Sequence, residues 1–253
     1  MPEYDPQLFA LLFNIVKSEK ALANPSLWFA EILMYLLGAV LLYHAIKTYG
    51  KWRALMFFIG CFLVTGIEES LAILIGTSLP GGGSYFYTLD VAGIFWFIAI
   101  PIVNVIGWFN LSYPTYYIMT KLFPEWQDWK KAAGAGLLAL NYDFLIDPIS
   151  VRQMKWQWLS GPPGSPIAPE FYIFGIPFGN YLGWFIMVFF FLWFWMRITS
   201  DDQLNEWGQK KTTIIYLLGV VGIAFLVQAI ALPTIAAIHA ICPAGYDLTF
   251  GGI

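Results

Sequence analysis

Asp143 and Asp147 stand four residues apart in one apolar stretch, and Glu68 and Glu69 stand side by side in another. On a continuing helix the two aspartates share a face. Carboxylates that close divide one proton between them, one held as the acid and the other ionised. An acid beside a base is the equipment for adding or removing a proton on one substrate. The two glutamates lie about 100° apart around a helix, so only one of them is expected to face the aspartates. An acid at the middle of a bilayer costs roughly 2.5–3.5 kcal/mol on insertion scales, and such residues face a protein-lined interior and mark functional sites. The structural alternative is a hydrogen-bond network that glues helices together.

The elements that carry these acids read as membrane spans. Of the 253 residues, 59% are hydrophobic and 11% charged, and the mean hydropathy is +0.66. A soluble domain carries about 25% charge. The composition predicts an all-α, polytopic integral membrane helix bundle with about six to seven transmembrane helices. Apolar segments near 26–47, 53–76, 91–119, 130–147, 180–199 and 212–241 are the expected spans of a single domain covering residues 1–253. Residues 7–17 are too short to span and are expected as an interfacial helix. Asp147-Pro148 reads as a helix stop, and Pro101 and Pro114 predict a kink in the third span. Met1–Pro6 carries acids and no basic residue, so no cleavable leader is expected.

Two segments interrupt the pattern: the glycine-rich Leu79–Leu89, and Ile149–Gly179 with Trp156 and Trp158. The second is expected to fold back as a re-entrant or lid-like aromatic loop. The plainer reading is an interfacial aromatic belt. Lys and Arg cluster at 47–53, 121–131 and 197–211 and are sparser at 17–20 and 152–155. That asymmetry predicts both termini outside the cytoplasm. A net charge of −3 with no basic stripe argues against nucleic acid as a partner.

Several cofactor patterns are weak here. His44 and His239 are too few for a histidine-ligated iron site, and Cys61 and Cys242 lack metal or redox spacing. Gly134-x-Gly136-x-x-Ala139 fits a dinucleotide fingerprint in letters only, since no strand precedes it. Asn141-x-Asp143-x-x-x-Asp147 is similar to the magnesium-binding runs of membrane prenyltransferases, yet Asp201-Asp202 is the only acidic pair besides Glu68-Glu69. Asn110-Leu-Ser112 lies inside a span, and Gly179-x-x-x-Gly183 fits close helix packing. No metal and no cofactor is expected. Carboxylates among aromatic side chains suit acid-catalysed chemistry on a lipid-soluble alkene. Protonation of a terminal trisubstituted double bond gives a tertiary cation, which tryptophan or tyrosine faces stabilise. Water then adds, or a proton leaves to give an isomer or a ring.

The run Glu68-Glu69, Gly83-x-Tyr85-x-Tyr87-Thr88, Pro101 with Trp108, Asp143-x-x-x-Asp147-Pro148, Trp156-x-Trp158 and Tyr172-x-x-Gly175-Ile176-Pro177-x-x-Asn180-Tyr181-x-Gly183-Trp184 resembles the carotenoid biosynthesis family of membrane carotenoid 1,2-hydratases, the bisanhydrobacterioruberin hydratases among them. The resemblance covers roughly residues 60–190. It implies cofactor-free addition of water to the terminal 1,2 double bond of an acyclic carotenoid, in a prokaryotic cell membrane. Asp143, Asp147 and one of Glu68 and Glu69 are the expected catalytic residues. Tyr85, Tyr87, Trp108, Trp156, Trp158, Asn180 and Trp184 are the expected substrate-binding residues. Asp147 or Asp143 is expected to protonate the alkene while its partner or Glu69 positions water. The insert Gly161–Pro169 lengthens the second loop relative to the family pattern. The rival readings are a cyclase or isomerase on the same end group, and a non-enzymatic pigment-binding or assembly subunit with partner chains or copies of itself.

Overall fold

The computed structural model describes residues 14–78, 85–158, 172–241 and 247–248. A turn of helix, α1 (Glu19–Leu22), precedes the long helices α2 (Pro25–Tyr49), α3 (Lys51–Ser78), α4 (Ile102–Leu122), α5 (Asp128–Arg152), α6 (Phe178–Ile198) and α7 (Asp201–Ile241). Four are long and apolar enough to cross a membrane: α2, α3 over Lys51–Leu74, α6, and α7 over Asp201–Ala231. The chain is therefore an all-α membrane bundle. α4 and α5 are less apolar because they carry Asn104, Asn110, Ser112, Asp143 and Asp147, all wholly or partly buried.

Local chemistry sets the helix ends. The Asn24 side chain accepts the Ser26 N–H at 3.0 Å, and Pro25 opens the first turn of α2. Gly50, at φ +84°, closes α2 and turns the chain directly into α3. The stop expected at Pro148 does not occur: α5 runs on to Arg152. A proline costs one backbone bond, and packing between α4 and α6 carries the helix through it. The third expected span begins late, because residues before Ile102 form turns and a small hairpin. Gly208, at φ +73°, divides α7 into two helical pieces. Of the expected interfacial helix 7–17, residues 7–13 lie outside the described residues. Residues 14–17 are not helical: the chain bends at Ile15, and Val16 bridges Phe95.

One supersecondary unit occurs twice. The strands are β1 (Tyr85–Tyr87), β2 (Trp96–Phe97), β3 (Ile100–Pro101), β4 (Trp156–Trp158), β5 (Tyr172–Ile173), β6 (Ile176–Pro177) and β7 (Asp247–Leu248). β2 and β3 form a hairpin that turns at Ile98, with φ 54°, and Pro101 then caps α4. β5 and β6 form a hairpin that turns at Phe174, also with φ 54°, and Pro177 then caps α6. The sequences agree: Ile100-Pro101-x-x-Asn104-x-x-Gly107-Trp108 and Ile176-Pro177-x-x-Asn180-x-x-Gly183-Trp184. Equivalent pieces also meet. β1 pairs antiparallel with β4, and the Trp108 and Trp184 rings lie 4.1 Å apart. Contacts between equivalent parts are what a local two-fold relation produces.

Contacts between helices fix their directions. Arg53 at the start of α3 reaches Asp201 at the start of α7, 2.5 Å away, and the Trp52 indole donates to Thr213. At the opposite end, Glu69 meets Trp108 near the start of α4, and Asp147 meets Asn180 near the start of α6. The middle is filled by rings. Phe57 packs on Phe109, Tyr113, Phe191 and Trp195 at centroid distances of 5.0–5.9 Å, and the Tyr216 hydroxyl donates to Met56 O beside Gly60.

Candidate active site

Four acids gather at the end of the bundle away from most Lys and Arg. Because α5 continues past Pro148, Asp143 and Asp147 lie on one face, 0% and 2% exposed. Asn180 Nδ2 lies 3.1 and 3.2 Å from the two Asp143 oxygens and 2.6 Å from Asp147 Oδ2. One amide thus serves two carboxylates. Asp147 Oδ1 is buried and receives no N–H or hydroxyl donor among the described residues, while the Asp143 and Asp147 carboxyl groups lie within hydrogen-bond reach of each other. A buried carboxylate oxygen without a donor is uncommon and calls for an occupant or a chemical role.

Glu69 stands on the facing side, held in a different way. Its Oε2 accepts the Tyr85 hydroxyl at 2.8 Å and the Tyr87 hydroxyl at 2.6 Å, and its Oε1 accepts the Trp108 indole N–H. Tyr85 and Tyr87 reach the same carboxylate because alternate residues of a strand share a face. Pairing with β4 sets Tyr85 opposite Trp158 and Tyr87 opposite Trp156, with ring centroids 4.8 and 5.6 Å apart. The Trp158 Nε1 is buried without an acceptor among the described residues. Asp147 lies within electrostatic reach of both Glu69 and Tyr87. The two acidic centres are therefore electrostatic neighbours.

Glu68 points elsewhere. Its Oε1 accepts from Gln228 on α7 at 2.7 Å, a helix-to-helix bond. The adjacent glutamates diverge as their 100° separation requires. Asp201, weighed above as half of a second acidic cluster, is taken by Arg53.

The seven expected substrate-binding residues all border this site, but three already donate to Glu69: Tyr85, Tyr87 and Trp108. Asn180 serves the aspartates, and Trp184 backs Trp108. The insert Gly161–Pro169 and the glycine run at 81–83 lie outside the described residues. Sequence reasoning missed three polar residues. Glu31 is 2% exposed; it accepts the Ile94 N–H at 2.5 Å and the Tyr35 hydroxyl at 2.6 Å, fastening the segment before β2 to α2. An acid inside the 26–47 segment was the available signal. Gln228 was visible as an amide within an apolar run. Asn104, the repeat mate of Asn180, lies at the Tyr87 hydroxyl. The Gly179-x-x-x-Gly183 packing reading is also corrected in part: a Cβ at Gly183 would meet nothing within 4 Å among the described residues.

The N-terminal segment lies over the same end. Ser18 and Lys20 bond Asp90 at 2.6 and 3.2 Å and hold its carboxyl below the usual range. Lys17 sits 5.5 Å from the Trp96 ring centre, and burial pushes its ammonium down to about 8.

No curated protein and no solved structure matches this chain. A family model described as carotenoid biosynthesis protein matches residues 29–247, and the chain belongs to that family.

Proposed function

We propose that, within its family's role in carotenoid biosynthesis, this chain hydrates the terminal 1,2 double bond of an acyclic carotenoid end group without a cofactor. The observation that carries this reading is Asp147. One of its oxygens is tied to Asn180, the other receives no N–H or hydroxyl donor among the described residues, and the Asp143 carboxyl lies within hydrogen-bond reach of it. One proton is held between Asp143 and Asp147, as in other close carboxyl pairs. Transfer of that proton forms a C–H bond at the less substituted alkene carbon and leaves positive charge on the tertiary carbon. The Trp108 and Trp184 faces stabilise that cation. Water bonds to the cation and returns a proton to the aspartate pair. The sum is addition of one water, with the acid restored.

The substrate class, a polyene lipid, fits a membrane bundle whose acids lie among aromatic rings. With the basic end of the bundle toward the cytoplasm of a prokaryotic cell, both termini are non-cytoplasmic and the site lies near the opposite face. The bonds that Glu68 and Glu69 make within the bundle favour one second reading, a pigment-binding or assembly subunit in which the acids only join helices. Membranes containing the protein, supplied with lycopene and analysed by mass, separate the readings. Hydration adds the mass of water. A cyclase or isomerase leaves the mass unchanged but alters the absorption spectrum, and a binding subunit returns the pigment intact.

A further inference from the structure

The repeated unit allows each half of the bundle to be compared with the other. Asn104 and Asn180 hold the same place in the two copies, three residues beyond the capping Pro101 and Pro177 and one turn before Trp108 and Trp184. Residues four apart on a helix share a side, so each asparagine lies on the same side of its helix as its tryptophan. Those sides meet, with the two tryptophan rings 4.1 Å apart. In the second copy the amide reaches the acids directly, Asn180 Nδ2 lying 2.6 Å from Asp147 Oδ2. In the first copy the acid is Glu69, and the Trp108 indole donates to its Oε1. Asn104, one turn before Trp108, lies within hydrogen-bond reach of the Tyr87 hydroxyl, which itself donates to Glu69 Oε2 at 2.6 Å.

A phenol hydroxyl carries one proton and can also accept. With the Tyr87 proton given to Glu69, the Tyr87 oxygen accepts from the Asn104 amide, and that donor fixes the direction in which the hydroxyl points. Glu69 in turn lies within electrostatic reach of Asp147. We infer that Asn104 is a positioning residue for hydration: it orients the Tyr87 hydroxyl and so holds the Glu69 carboxyl in its working pose. Asn180 bonds its acids itself, whereas Asn104 acts at one remove, because β1 places a tyrosine between amide and acid. The plainer role for an asparagine in a first turn is to bond a free N–H of its own helix. Its repeat mate does otherwise, with Nδ2 directed at both aspartates.

The effect on conversion rests on the hydratase reading; the contact with Tyr87 does not. The test uses Asn104→Ala and Asn104→Leu, which remove the amide at a partly exposed position and either leave or fill its space. Tyr87→Phe is made alone and with each of them. Every variant is purified from lycopene-containing membranes. Conversion per folded molecule, bound lycopene, melting temperature and the infrared C–O band of Tyr87, identified by its loss in Tyr87→Phe, are read together. Both Asn104 variants and Tyr87→Phe should convert about tenfold less than the parent, the scale of one hydrogen bond, with bound lycopene unchanged. The Tyr87 band should shift in both Asn104 variants, because the phenol goes from donor and acceptor to donor alone. The double variants should convert within about twofold of Tyr87→Phe, since residues acting through one contact are not additive. Losses that multiply in the double variants would overturn the inference and leave the hydratase reading intact. So would parent conversion per folded molecule in the Asn104 variants, which with a lowered melting temperature marks a purely structural side chain. If the parent binds lycopene but adds no water, the hydratase reading fails, and an unchanged Tyr87 band then overturns the contact as well. Should Asn104→Leu not accumulate, Asn104→Ala and its double variant decide the same question.

Discussion

Asn180 donates to Asp147 Oδ2 at 2.6 Å, and the same nitrogen lies within 3.2 Å of both Asp143 oxygens. A single side chain on α6 thus bridges two acids on α5. Asn180→Ala leaves both carboxylates buried without that donor. Hydration is expected to fall about a hundredfold, the scale seen when one preorganised donor is removed. Stability should fall by about 1–3 kcal/mol, the cost of stranding a buried partner. Conversion rate and melting temperature of the inserted variant check both; unchanged conversion would remove Asn180 from the site.

Glu68 and Glu69 should part company under the same substitution. Glu68→Gln keeps an acceptor for Gln228 and should leave conversion within about twofold, since a neutral amide replaces a buried acid. Glu69→Gln turns an NH₂ toward three donors, Tyr85, Tyr87 and Trp108. It should lower conversion about a hundredfold and destabilise the β1–β4 cap. Equal behaviour of the two variants would contradict the division drawn between them.

Glu31 is expected to act on stability alone. Glu31→Ala strands the Ile94 N–H and the Tyr35 hydroxyl and should cost about 2–3 kcal/mol. Hydrogen exchange across residues 88–97 should rise, while the product formed per folded molecule stays constant.

The contact of the N-terminal segment with Asp90 should fail in acid. The Ser18 hydroxyl, and then Lys20, hold the Asp90 carboxyl below its ordinary value. A carboxyl depressed in the folded state contributes stability that is complete above its unfolded value of about 3.9 and is lost as pH falls through the folded one. Exchange at residues 15–22, corrected for intrinsic rate, should be flat from neutrality to about pH 5 and rise below about 4. In Asp90→Asn it should already be raised at neutral pH.

The sequence made the chemistry easier to read than the geometry. Acids within apolar runs are visible because few physical reasons put them there, and by that logic Glu31 should have been included with the other four. The helices followed from hydropathy, but their ends did not. Pro148 reads as a stop in isolation, and neighbouring helices carry α5 past it. The β1–β4 pairing could not be anticipated, because three-residue strands are too short for a period to show. The repeat was present as Ile-Pro-x-x-Asn-x-x-Gly-Trp in both halves, yet its meaning depended on the hairpins with φ 54° that precede each copy. Gly183 shows the limit most clearly. A glycine for close packing and a glycine beside open space look the same in sequence.

The most direct test of the central claim, that Asp143 and Asp147 deliver a proton to a polyene, is conversion of lycopene in deuterated, ¹⁸O-enriched water. The account predicts one carbon-bound deuterium and one labelled oxygen per hydrated end, with both lost in inserted Asp147→Asn protein. Product lacking carbon-bound deuterium, or formed at the parent rate by the Asp143→Asn/Asp147→Asn double variant, would contradict it.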